Sequence, residues 1–162
     1  MNDPVILLDI DGTCSPLCAS DHLPREWVPW ERGSFGWNKG WTSPVLGAAL
    51  AQLALVADVR WCTGWEEEAA RYGQVLGLEV PWVPIGAGGA GRMWKLSAVE
   101  QALPDRPVWW IDDEHGHSSQ EWAAARSGRG LPTTAVACDP NVGVTSDHVA
   151  DAARWAEQVR RR

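Results

Sequence analysis

Val5-Ile6-Leu7-Leu8 is a wholly apolar run that ends in acidic residues. A run of this length without polar alternation predicts a strand covered on both faces, with Asp9 at its carboxyl end. Four more segments read as strands: Asp58 to Cys62, Pro81 to Ile85, Pro107 to Ile111 and Thr134 to Cys138. The prolines of the Pro81–Ile85 stretch predict an edge position.

Helical segments fall between them. Ser43-Pro44 supplies an N-cap followed by Pro at the first helical position, and the helix is expected to run to about Leu55. Trp65 to Leu76 opens with Glu66-Glu67-Glu68, where negative charge favours a helix N-terminus, and Gly77 is its expected cap. Met93 to Leu103, Ser118 to Arg126 and Ser146 to about Val159 complete the set. Strands alternating with helices predict an α/β fold: a parallel sheet in three layers, Rossmann-like, with helices on both faces. In such sheets the site lies beyond the carboxyl ends of the strands.

Residues 14 to 43, rich in Pro, Trp, Gly and Ser, show no clear period and read as a long loop or flap inserted in a single domain spanning 1–162. The Gly86–Gly91 stretch lacks a Lys-Ser/Thr ending and does not follow the first strand. It therefore reads as a connection rather than a phosphate-binding loop.

Composition narrows the class. With 162 residues, 45% hydrophobic and 22% charged, the chain suits one soluble domain. No apolar run is long enough to span a bilayer, and the N-terminus lacks a signal peptide's basic start, so a cytoplasmic protein is expected, with no membrane partner. A net charge of −7 argues against general nucleic-acid binding. No obligate protein partner is evident. Cys14, Cys18 and His22 recur every four residues, but no fourth ligand follows at structural-zinc spacing.

Asp9-Ile10-Asp11-Gly12-Thr13 carries the most chemistry. Two carboxylates two residues apart, leaving a buried strand, need a cation to stay ionised together, and oxygen ligands favour Mg2+. Gly12 lets the chain turn sharply. An aspartate can act as nucleophile through an aspartyl-phosphate, with the second carboxylate as general acid and base. The bland alternative is a solvated Asp-Gly turn. Thr63 could hold a phosphate oxygen or simply cap the next helix; Lys95 could neutralise a phosphoryl group or be a solvated helix lysine. Asp112-Asp113 could complete a metal shell or form a polar turn.

The order Asp-x-Asp-Gly-Thr, strand-Thr, helix-Lys, strand-Asp-Asp resembles the haloacid dehalogenase (HAD) superfamily over most of the chain. The resemblance implies strand order 5-4-1-2-3. It implies Asp9 as nucleophile and Asp11 as acid/base, with Thr63, Gly64 and Lys95 binding the phosphoryl group. Asp9, the main-chain carbonyl of Asp11, Asp112 and Asp113 would hold magnesium. An Asp at position 11 distinguishes this pattern from dehalogenating and phosphonate-cleaving members, so phosphomonoester hydrolysis is the implied branch.

Four further stretches are Trp61-Cys62-Thr63-Gly64-Trp65 with its glutamates, Trp94-Lys95-Leu96, Trp110-Ile111-Asp112-Asp113 and Asp139-Pro140-Asn141-Val142-Gly143-Val144-Thr145. They are similar to HAD-like phosphatase domains of RNA-repair proteins, which implies a nucleotide or nucleic-acid 3′-phosphate end as substrate.

The 14–43 insert is too short for a full cap domain. Its Trp27, Trp30, Trp37 and Trp41, interleaved with Arg25, Arg32 and Lys39, could stack on bases or could fold the flap onto the core. His115 and His117 follow the acidic pair and could touch a leaving group or sit solvated in a loop. The alternative function is a non-catalytic binding or regulatory module on the same fold.

Overall fold

A computed structural model describes residues 3–18, 26–31, 39–86 and 94–162. His22, Arg25, Arg32, Trp37, Met93 and most of the Gly86–Gly91 stretch lie outside the described residues.

The apolar run forms β1 (Val5–Leu8) at the heart of a parallel sheet. It is flanked by β4 (Asp58–Trp61) and β5 (Val108–Ile111), with β6 (Thr133–Val136) beyond β5. Leu8 pairs across with both Trp61 and Ile111, so the three strands end level. That register delivers Asp9 and Asp112 side by side, with Thr63 two residues past the end of β4.

The Pro81–Ile85 stretch is less than the strand expected. It contributes one parallel bridge, Trp61 to Trp82, on the outer side of β4. Trp61 N donates to Pro81 O at 2.9 Å and Val83 N to Trp61 O at 2.8 Å. Pro81 and Pro84 have no N–H to continue a ladder. The four full strands and this bridge follow the implied order.

Side-chain alternation in each strand feeds two cores. Ile6, Leu8, Val59, Trp61, Trp109 and Ile111 face one way. They pack against α1 (Pro44–Ala54), α2 (Ala69–Leu76) and α5 (Ser146–Arg160). Val5, Leu7, Val108 and Trp110 face the other way, onto Leu96 and Val99 of α3 (Trp94–Ala102) and Trp122 of α4 (His117–Gly128). Burial on both faces explains why β1 and β5 carry no polar residue. No helix of the described residues is long and apolar enough to cross a membrane.

Local signals set several helix ends. Ser43 accepts from Leu46 N at 3.2 Å and caps α1. Thr145 and His148 cap each other reciprocally at the start of α5. The helix expected from Trp65 instead starts with a 3₁₀ turn, Glu66–Glu68, and Glu66 has φ 52°. Only Ala69 onward is α-helical, ended by Gly77 at φ 80°.

The insert is not loop throughout. β2 (Val28–Glu31) and β3 (Lys39–Thr42) form an antiparallel hairpin.

The outer edge of β6 is closed by α4. Within the sheet, Pro132 O and Val136 O accept from Val108 N and Asp112 N. The carbonyls of Thr133 and Ala135 point outward, where Ser127 Oγ donates to Thr133 O at 3.1 Å and Gln120 Nε2 to Ala135 O at 2.8 Å. Thr133 N donates to Ser127 Oγ at 3.0 Å. Arg126 of the same helix is fully buried and donates to Leu103 O at 2.9 Å, Arg106 O at 2.7 Å and Glu100 at 2.5 Å.

Candidate active site

Asp9 and Asp112 leave adjacent strands as buried carboxylates. Lys95, in the first turn of α3, inserts its ammonium between them. Nζ donates to Asp9 Oδ1 at 3.0 Å and to Asp112 Oδ2 at 2.8 Å. Burial, and then the like charge of Asp112, pushes the Asp9 carboxyl well above its usual range, against the pull of Lys95. Burial opposes the charge on Lys95, but the two carboxylates outweigh it and hold the ammonium above its ordinary pKa.

Asp113 is tied down from the β1 turn. Its N–H donates to Thr13 Oγ1 at 3.1 Å, and that hydroxyl lies 3.3 Å from Asp113 Oδ1 as donor. Burial and Asp112 raise its carboxyl too. Gly12 has φ 71°, and a Cβ there would come within 2.5 Å of the Asp113 carboxyl carbon. Glycine is therefore required twice over, by backbone conformation and by the approach of Asp113.

Asp9, Asp112 and Asp113 each offer an oxygen within 4.8 Å of the others, the one such group among the described residues. With all three carboxyls ionised, as a bound cation would hold them, the one ammonium leaves two negative charges, which a single divalent cation neutralises. The donors are all hard oxygens, so the set fits magnesium.

The Asp11 side chain is exposed and stands outside the Lys95 bonds: its Oδ2 accepts from the Trp65 indole Nε1 at 2.7 Å. Thr63 is buried, and its hydroxyl accepts from Trp65 N at 3.4 Å in a weak local turn. Gly64 follows with open space on its Cα. An added Cβ would reach only the Trp94 ring, at 3.7 Å.

The described tryptophans of the insert are tied to the body of the protein. Trp30 stacks on Trp65 with centroids 5.4 Å apart and planes at 25°, and meets Tyr72 edge-on at 5.4 Å. Trp41 donates its backbone N–H to Ser15 Oγ at 2.9 Å and its indole to Cys18 O at 3.2 Å. The Tyr72 hydroxyl lies 2.5 Å from Cys14 O and 3.1 Å from Trp41 O. Trp27 is half-buried against the α1/α2/α5 core.

The two histidines part company. His115 lies edge-on to Trp110 at 4.6 Å, and burial lowers it to about 4. His117 is exposed on α4, 3.2 Å from Glu121.

Sequence reasoning did not assign Trp65 or Thr13 to the site. Thr13 was legible as part of the Asp-Gly-Thr turn. Trp65 carried no such signal, because its partner lies 54 positions away.

No family model matches the chain, and a search of the curated proteins finds no match. Among solved structures, a Vibrio cholerae chain provisionally assigned as 3-deoxy-D-manno-octulosonate 8-phosphate phosphatase aligns over 99% of this chain and 86% of its own, with 13% sequence identity and a TM-score of 0.43.

Proposed function

We propose that this chain is a HAD-type phosphomonoester hydrolase with Asp9 as nucleophile. The observation that carries the reading is the buried Lys95 ammonium bonded to both Asp9 and Asp112 at the ends of neighbouring strands. A buried Asp-Lys-Asp set is costly to keep for packing alone, and it lies where α/β sheets bind ligands.

In this reading Lys95 engages Oδ1 of Asp9, and Oδ2 attacks phosphorus in line. The bond from phosphorus to the leaving oxygen breaks, and that oxygen takes a proton from Asp11. Asp11, now ionised, removes a proton from water as the water attacks the aspartyl-phosphate. Inorganic phosphate leaves and Asp9 is regenerated. Lys95 stays charged and offsets negative charge on the transferring group, while Thr63 and Gly64 offer a hydroxyl and a close backbone approach. Asp9, Asp112 and Asp113 would hold magnesium, which when bound supplies further charge neutralisation to the phosphoryl oxygens.

The finer proposal, a nucleotide or nucleic-acid 3′-phosphate end as substrate, is supported by the sequence resemblance and by the small size of the insert. The test is phosphate release from aryl phosphates, sugar phosphates, nucleotides and 3′-phosphorylated oligonucleotides, with and without magnesium. Asp9→Asn is expected to lose turnover while unfolding at the same urea concentration or a higher one. Substantial release by that variant sinks the mechanism. Wild-type protein that releases nothing yet binds magnesium favours the non-catalytic module.

A further inference from the structure

Trp65 is buried, and its indole N–H reaches out of the core to the exposed carboxylate of Asp11 at 2.7 Å. Packing alone does not require that bond. The indole N–H groups of Trp61 and Trp110 are buried and meet no acceptor. The plane of the Trp65 ring is fixed from two sides, by the stack with Trp30 of the β2–β3 hairpin and by Tyr72 edge-on at 6.0 Å.

Indole nitrogen can only donate. An oxygen that accepts from it cannot at the same time present an acidic proton along that direction. With Oδ2 of Asp11 engaged by Trp65, Oδ1 is the oxygen left outside that bond.

We infer that Trp65 is a positioning residue for the reaction: its N–H orients the Asp11 carboxyl and leaves Oδ1 as the oxygen that gives and takes the proton. The hairpin contributes through Trp30, which braces the indole. This inference rests on the phosphatase reading and assigns a role to a residue that touches neither phosphorus nor metal.

The leaving group reports on it. A nitrophenolate departs without help from an acid, whereas an alkoxide needs its proton. Trp65→Phe keeps an aromatic ring beside Trp30 and Tyr72 and removes only the donor and one ring of the bicycle. It is expected to lower kcat/KM, which reports the phosphoryl-transfer step and not the common hydrolysis of the aspartyl-phosphate, by about 10- to 100-fold on an alkyl phosphate, a fraction of what general acid catalysis supplies. On 4-nitrophenyl phosphate the loss in kcat/KM should stay within about 3-fold. Asp11→Asn alone should show the same pattern more strongly, and adding Trp65→Phe to it should change nothing further.

Equal losses on both substrates, no loss on either, or a further loss in the Asp11→Asn background would overturn the positioning role and leave the phosphatase reading standing. Wild-type protein that releases phosphate from no substrate removes the phosphatase reading, and this inference with it. Indole N–H resonances of the wild type give a second measurement should Trp65→Phe fail to fold. Asp11→Asn is expected to move one strongly downfield indole proton upfield, and the absence of such a shift counts against the bond itself.

Discussion

Replacing Lys95 by Met keeps most of the side-chain volume and its apolar stem but removes the ammonium that touches both Asp9 and Asp112. The three side chains are 10%, 6% and 2% exposed, so water cannot take over the role. Removing one partner from a buried ionic set costs about 3–5 kcal/mol, because the remaining charge is stranded. The variant can avoid part of that cost by keeping one proton on the two carboxyls. Holding a carboxyl of ordinary pKa protonated costs about 1.4 kcal/mol for each pH unit above ~3.9. Wild-type Asp9 is itself raised and bears part of this cost at low pH, so the loss relative to wild type is smaller than about 1.5 kcal/mol at pH 5 and grows to at most about 4 kcal/mol near pH 7, where it meets the full cost of a stranded charge.

The sign follows from the extra proton. Without Lys95 the folded carboxyl pKa rises further above its unfolded value, so stability is kept at low pH and lost as pH climbs toward the raised value. Urea unfolding followed by tryptophan fluorescence, in EDTA so that no cation replaces the ammonium, measures this at pH 5, 6 and 7. A loss that is the same at all three, or smaller than about 1 kcal/mol at pH 7, would refute the assignment of Lys95 as the countercharge of the pair.

Two further substitutions address the scaffold. Arg126→Met strips donors from the carbonyls of Leu103 and Arg106, and thermal or urea melts should show about 3–5 kcal/mol of destabilisation. Gly47→Ala would place a Cβ 1.8 Å from Leu76 O, where α1 crosses the end of α2, so a loss of about 1–3 kcal/mol is expected with the Asp9 site left in place.

Much of this arrangement was legible where a single local rule decides. The unbroken apolar stretch before Asp9 and the Val-Trp-Trp-Ile run before Asp112 each fix a doubly buried strand, and a parallel sheet then puts their following residues at one end. Ser43-Pro44 marked the start of α1 within one residue. The readings that shifted turn on longer-range balances. Glu66-Glu67-Glu68 favours a helix start electrostatically, yet the chain there is held in a 3₁₀ turn, and Glu66 accepts from Ile85 N at 3.0 Å, across the chain. The hairpin escaped notice because Val28–Glu31 and Lys39–Thr42 are four residues each and one holds a proline. The Trp65–Asp11 bond depends on where an indole lands after folding, which periodicity does not encode.

The two borders of the sheet have a consequence for how molecules meet. A strand with bare N–H and C=O groups is a template on which another chain can crystallise a further strand. On the β6 side Gln120 and Ser127 of α4 take up Thr133 N, Thr133 O and Ala135 O. On the β4 side a single bridge at Trp82 is flanked by Pro81 and Pro84, which cannot donate. Among the described residues, neither border of the parallel sheet offers a long run of free backbone groups. Extending this parallel sheet from one molecule into the next would therefore require its borders to open first.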